Sequence, residues 1–217
     1  MDYVRCMDTL SADIAEPVKS KHDRILEAAA AVFCQDGYTG ASIDAVAVKA
    51  GVSRQTIYNH VGDKEGLFKL VVAKLTEKSS AQFFLLLDGF PSEPQDIEAE
   101  LTAFSTRFLI HVTYDKTSRW MLKLVENEGG RYPDLFDVWR RYGIGEKRPA
   151  IAAKLAFLAH GGHLDIDDAT LAARQYMALL TAEWRTEFQL GNLPDEAECG
   201  QMAARAVKTF LKAFGKR

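Results

Sequence analysis

Cysteine is scarce in this 217-residue chain. Cys6, Cys34 and Cys199 are far apart and have no metal-ligand spacing. Cys34, beside Phe33, reads as an ordinary part of a helix. No apolar run approaches the length needed to span a bilayer, and the N-terminus lacks the basic-then-apolar order of a secretory signal. The expectation is therefore a cytoplasmic protein with no membrane partner. An excess of positive charge is missing too. The net charge is −3 and the pI about 6.0, which argues against a strongly electrostatic, non-specific nucleic-acid binder. No Ser-His-Asp or Cys-His set, Gly-rich phosphate loop or ExxH pair on facing helices appears, so neither an enzyme nor a cofactor is expected. His160 and His163 with Asp165, Asp167 and Asp168 hold metal-ligand residue types, but no helical scaffold fixes them. Gly161-Gly162 ends one helix there and Asp167 or Asp168 caps the next, so no metal is expected.

What the chain does have is an ordinary globular composition, 47% hydrophobic and 26% charged, with one conspicuous stretch from Ser42 to Phe68. Ser42 is an N-cap candidate, and Ile43, Val46, Ala47 and Ala50 recur behind it at helical spacing. Gly51 can turn the chain with positive φ, and Ser53 can cap a second short helix anchored by Ile57. That helix carries Arg54, Gln55, Thr56, Tyr58, Asn59 and His60. Arg and Gln can each make paired hydrogen bonds to base edges, Asn can do so to adenine, and Thr offers a methyl and a hydroxyl. Tyr58 and His60 can reach phosphate oxygens. Such a helix suits the major groove, and the small Ala47 lets its partner cross closely. The competing account is an amphipathic helix whose polar face is merely solvated. Over residues 19–64 six cations (Lys19, Lys21, Arg24, Lys49, Arg54, Lys64) stand against five carboxylates, which is compatible with a specific site making few phosphate contacts.

Residues 1–20 show no periodicity, Pro17 interrupts them, and they read as an arm in which Lys19 is solvated rather than bound to phosphate. A helix from about Lys21 to Gln35 buries Ile25, Ala28, Ala29, Val32 and Phe33 and stops at Gly37. Asp63 caps a long helix reaching about Leu87. Lys64 in its first turn opposes the helix dipole, and a phosphate is a plausible outside reason for it. This helix serves both halves and is the natural lever between them. The next helix starts near Gln95. Another covers Ser118 to about Gly129 and reads as apolar on most sides. A restart at Arg131 to Leu135 continues as one helix towards Leu158, and two helices, about 169–190 and 195–214, close the chain.

The span RILEAAAAVFCQDGYTGASIDAVAVKAGVSRQTIYNHVGDKEGLFKLVV resembles the DNA-binding domain of the TetR/AcrR family of one-component regulators. The matching features are Ile25-Leu26, Ala28-Ala29, Phe33 and Gly37-Tyr38, then Ala50 to Ser53, Ile57 to Val61 and Asp63 to Leu67. Val61 stands where the family usually has Phe, and Arg54-Gln55 where it has Gly or Pro, departures that bear on which bases are read. More weakly, Leu124-Val125-Glu126, Tyr132 to Leu135 and HGGHLDIDDATLAA resemble one version of its C-terminal domain.

The expectation is an all-α homodimer divided into an arm (1–20), a helix-turn-helix DNA-binding domain (21–68) and a helical ligand-binding and dimerisation domain (69–217). Its expected partners are double-stranded operator DNA and a small, largely apolar effector that releases a repressor. Arg54, Gln55, Thr56 and Asn59 are assigned base readout, with Ser42, Ser53, Tyr58, His60 and Lys64 on the DNA backbone. A surplus of large side chains suggests a pocket drawn from Phe104, Phe108, His111, Trp120, Met121, Leu124, Trp139, Tyr142, Tyr176 and Trp184, against the simpler account that they fill a core. Ala178, Ala182, Ala203, Val207, Phe210 and Phe214 are assigned to the dimer interface. The alternative function is a helical small-molecule-binding protein or enzyme that does not regulate through DNA.

Overall fold

The computed structural model of the chain describes residues 20–216, with Ile144 described by its backbone alone. The arm read over 1–20, with Cys6, Pro17 and Lys19, lies outside the described residues except for Ser20. Among the described residues nine α-helices follow one another, and no helix is long and apolar enough to cross a membrane.

Side-chain caps set most of the helix starts. Ser20 accepts from the Asp23 N–H at 3.1 Å and opens α1 (Lys21–Gly40). Ser42 and Ser53 accept from Ala45 N–H (3.1 Å) and Thr56 N–H (3.0 Å), opening α2 (Ile43–Ala50) and α3 (Arg54–Val61). Asp63 does the same for α4 (Lys64–Leu87) through the Gly66 N–H at 2.7 Å. Asp96 opens α5 (Ile97–Tyr114), and Asp115 opens α6 (Lys116–Glu128). Gly51, at φ 66 and ψ 43, makes the left-handed turn between α2 and α3, so the tight turn expected there is present. Gly37, at φ 70 and ψ 176, breaks the helical geometry of α1 at the expected stop, and the last turn of the element, to Gly40, lies beyond that kink.

The single helix expected from Arg131 to Leu158 does not form. Pro133–Phe136 is a short 3₁₀ turn, Trp139–Ile144 is a π turn, and α7 begins only at Gly145 and runs to His160. Pro149 has no N–H to return to the carbonyl four residues back, and upstream the Gly145 N–H reaches the Arg140 carbonyl instead, the wider π pattern. Gly143 lets the Trp139 indole lie over this turn, since a Cβ there would sit 3.0 Å from the ring. Asp168 caps α8 (Ala169–Gln189) through the N–H groups of Thr170 and Leu171, and Asp195 with Glu198 forms a capping box on α9 (Glu196–Phe214). A bridge between Leu164 and Gly215 pins the loop before α8 to the end of the described chain.

Two hydrophobic cores result, and α4 contributes to both. The first joins α1, α2, Ile57 of α3 and Leu67 to Leu75 of α4, and also takes in Met121 and Leu124 of α6 with Leu135 and Phe136. The second joins Phe83 and Leu87 of α4 to α5, α7, α8 and α9. The α6 helix is not apolar on most sides as expected: Met121 and Leu124 are buried, whereas Trp120, Leu122 and Val125 are half-buried. The interface assignment on α9 also needs correcting. Ala203, Val207 and Phe210 have no exposure within a single chain, because α9 packs them into the second core with α5 and α8. Nothing of those three side chains remains for a second copy to cover. Ala178 and Ala182 on α8 are exposed, and Phe214 is half-buried.

Candidate functional site

In α3 the only fully buried side chain is Ile57, at 0% exposure. Burying a side chain of that size stabilises by roughly 1.5–3 kcal/mol, enough to seat an eight-residue helix on its neighbours. Around it Arg54, Gln55, Tyr58, Asn59 and His60 are exposed and Thr56 is half-buried. The eight-residue helix thus presents one continuous hydrogen-bonding surface, of the size the major groove of B-DNA admits. Four of its polar side chains already have protein partners. Arg54 Nε lies 2.9 Å from Asp44 of α2, and Gln55 donates to the Asn59 side-chain carbonyl at 2.8 Å. The Ser53 and Thr56 hydroxyls are 2.8 Å apart. The sequence does not single out Asp44, because an acidic residue in a first helical turn has an ordinary explanation in the helix dipole.

Lys64 has a reason within the chain for its place in the first turn of α4. Its ammonium donates to the Thr39 carbonyl at 3.0 Å and lies 5.1 Å from the centroid of the Tyr38 ring. One of its three N–H groups is so engaged, and two are left for another acceptor. Arg24 of α1 similarly donates to the Ala50 carbonyl at 2.6 Å, closing the C-terminus of α2.

The C-terminal half holds a cavity of about 890 Å³ between α4, α5, α6, the π turn, α7 and α8. Of the residues expected to line a pocket, Phe108, His111, Met121 and Trp139 do so. The others sit elsewhere. Phe104 and Tyr176 pack around Phe90 in the second core, with the Tyr176 hydroxyl 2.6 Å from Ser105. Trp184 donates to Thr113 at 2.8 Å and stacks on Phe188. Leu124 is inside the first core, and Trp120 lies under the Lys116 ammonium beside α1. Tyr142 is exposed on a separate groove between α1, α4 and the π turn.

The cavity wall also contains residues that periodicity did not single out: Ser79 and Phe83 of α4, Lys147 and Arg148 of α7, and Arg174, Ala178 and Arg185 of α8. Ala178, assigned from sequence to the interface, belongs to this wall. Lys147 donates to the Ser79 hydroxyl at 2.9 Å and sits 5.5 Å from the Phe83 ring centroid. Burial brings its ammonium down to about pH 8 from the usual lysine range. Burial likewise lowers the His111 imidazole. The Cys34 thiol is pushed up to about 12 by burial, which leaves it unreactive at neutral pH. The stretch from His160 to Asp168 forms the turn into α8, and among the described residues no group of three or more metal-ligand side chains assembles.

Residues 25–71 match the family of bacterial regulatory proteins called tetR, and residues 99–216 match the AefR-like transcriptional repressor, C-terminal domain. A repressor from Streptomyces coelicolor, the HTH-type transcriptional repressor SCO4008, is 39% identical over 75 residues, covering 35% of each chain. The chain thus spans about a third of that relative's length. A crystal structure of a TetR-family transcriptional regulator from Mesorhizobium loti superimposes with a TM-score of 0.78 and 27% identity, over 90% of this chain and 97% of the other. The flavonoid-responsive regulator FrrA does so with a TM-score of 0.66 and 27% identity, over 91% and 98%. The first two are named as transcriptional regulators and FrrA as a regulator. With both halves of the fold matched and the second match alone spanning more than half its length, the chain belongs to the TetR family of bacterial transcriptional regulators.

Proposed function

We propose that the protein is a dimeric, sequence-specific DNA-binding repressor of the cytoplasm, released from its operator when a small organic effector enters the cavity between α4 and α8. The observation that carries this reading is α3, where a single buried anchor leaves Arg54, Gln55, Tyr58, Asn59 and His60 exposed on a capped helix. Arg54, Gln55, Thr56 and Asn59 read bases after exchanging their mutual pairs for base edges. Tyr58, His60 and the free N–H groups of Lys64 hold the phosphates. Ser42 and Ser53 orient the helices as caps and offer their hydroxyls to the backbone second.

Cavity position supplies the regulation. Its wall includes Ser79 and Phe83 of the lever helix α4, and Met121 of α6, which packs into the first core. An occupant therefore touches both elements that set the pose of the DNA-binding half. The responsiveness that FrrA's name records supports a small organic effector here. Two recognition helices must reach one face of DNA about 34–36 Å apart, which calls for a twofold dimer. The exposed face of α8 and α9, including Leu179 and Ala182, is the surface assigned to it. The test is fluorescence anisotropy with the DNA upstream of the protein's own coding region. The expected result is saturable binding that exceeds a scrambled duplex, and an Arg54→Ala variant that loses about 1–3 kcal/mol and relaxes preference at one base pair. Equal affinity for both duplexes overturns the reading.

A further inference from the structure

The chain carries a net charge of −3, yet the cavity wall holds Lys147, Arg148, Arg174 and Arg185 and not one carboxylate. Arg185 is answered by Glu126 at 3.4 Å, outside the wall. The other three have no ion pair among the described residues, and Lys147 is the most deeply placed, bonded only to a neutral hydroxyl and lying near a ring. The same wall holds Phe83, Phe108 and Met121. We propose that the cavity takes an organic anion: an apolar, ring-bearing body with one carboxylate or phenolate, whose charge pairs with the Lys147 ammonium.

The volume of about 890 Å³ lies within the usual range for small-molecule sites. The energetics discriminate between ligand classes. A neutral apolar body would strip water from Lys147 and offer it nothing in return, whereas an anion replaces that water with a charge-assisted hydrogen bond. Depression of the Lys147 ammonium by burial is the signature of a cation held short of solvent and of counter-charge. Pairing also acts on the lever. The ammonium that would receive the anion also holds Ser79 of α4 at 2.9 Å and keeps two N–H groups for another acceptor, so one group joins ligand and lever. This inference rests on the cavity being the effector site.

The experiment is isothermal titration calorimetry of the full chain with 2-naphthoate and its uncharged isostere 2-naphthamide, on the wild type, Lys147→Met and Arg174→Gln. The expected result is naphthoate binding at least about tenfold tighter than naphthamide to the wild type, the scale on which one charge-assisted contact is felt. That preference falls to within about twofold in Lys147→Met, with naphthamide affinity kept, and falls by less in Arg174→Gln. The wild-type ratio needs no variant, so a poorly folded Lys147→Met leaves the proposal testable. Equal binding of both compounds to the wild type overturns the anion assignment and leaves the cavity reading standing, as does a preference that survives in folded Lys147→Met. Binding of neither compound overturns both.

Discussion

Arg54 is paired with Asp44 in the free protein, and on the proposed function that sets its contribution to DNA binding. Its partner Asp44 and Arg54 itself are about 60% exposed, so the ion pair is worth little and is readily given up. On the proposed docking, Asp44 also brings a negative charge towards the phosphates. Asp44→Asn should therefore tighten operator binding by roughly two- to fivefold, most clearly at low salt, as read by anisotropy titrations at two ionic strengths. Lys147 gives a pH test of a different kind. Its folded-state value of about 8 lies below that of a lysine in the unfolded chain. Between those pH values the unfolded chain holds a proton that the folded chain has released, so stability rises with pH across the window; below pH 8 the burial penalty is fully present. Lys147→Met removes the penalty. It should be more stable than the wild type at pH 7 by up to roughly 3 kcal/mol, an advantage that shrinks towards pH 10, in urea unfolding at both pH values.

Elements built from local signals are legible in the amino-acid sequence. Ser42, Gly51, Ser53 and Asp63 each act within a few residues of their own position, so the helix-turn-helix and the start of the lever can be read directly. Tertiary pairing cannot. The stripe Ala203, Val207 and Phe210 says that one face of α9 is buried, and the same stripe serves a partner subunit or the protomer's own α5 equally well. The cavity is hidden for the same reason, because Lys147 and Arg174 look like solvated charges until α4, α7 and α8 are set side by side. The break before α7 depends on Pro149 lying only a turn beyond its start, where proline is usually tolerated. The two accounts of α9 separate cleanly by mutation. Phe210→Asp should unfold the protomer, with a loss of roughly 3 kcal/mol or more in chemical denaturation, because a charge would sit at a site with no exposure. Leu179→Asp with Ala182→Asp, both on exposed positions, should keep the helical content and yield monomers in light scattering.

At the scale of the molecule, one meeting point of the two halves is Gly37. Glu128, buried at the end of α6, accepts the Tyr38 N–H at 2.9 Å, and a Cβ on Gly37 would run into its carboxylate. Tyr132 adds an edge contact to the Tyr38 ring at 4.9 Å and a hydrogen bond to Thr39 at 2.9 Å. The second Glu128 oxygen has no hydrogen-bond partner among the described residues. Gly37→Ala should lower stability by more than the ~1–2 kcal/mol of the left-handed conformation alone, because Glu128 must also move; thermal melts of Gly37→Ala alone and combined with Glu128→Ala measure the coupling. This contact also sets a rule for building hybrid regulators. A DNA-reading module excised near residue 68 and spliced onto another relative's effector domain leaves Gly37 and Tyr38 facing whatever that relative carries where Glu128 stands here. Hybrids that keep a glycine at the break and a carboxylate at the end of the sixth helix should respond to their effector; those that keep only one of the two should bind DNA and ignore it.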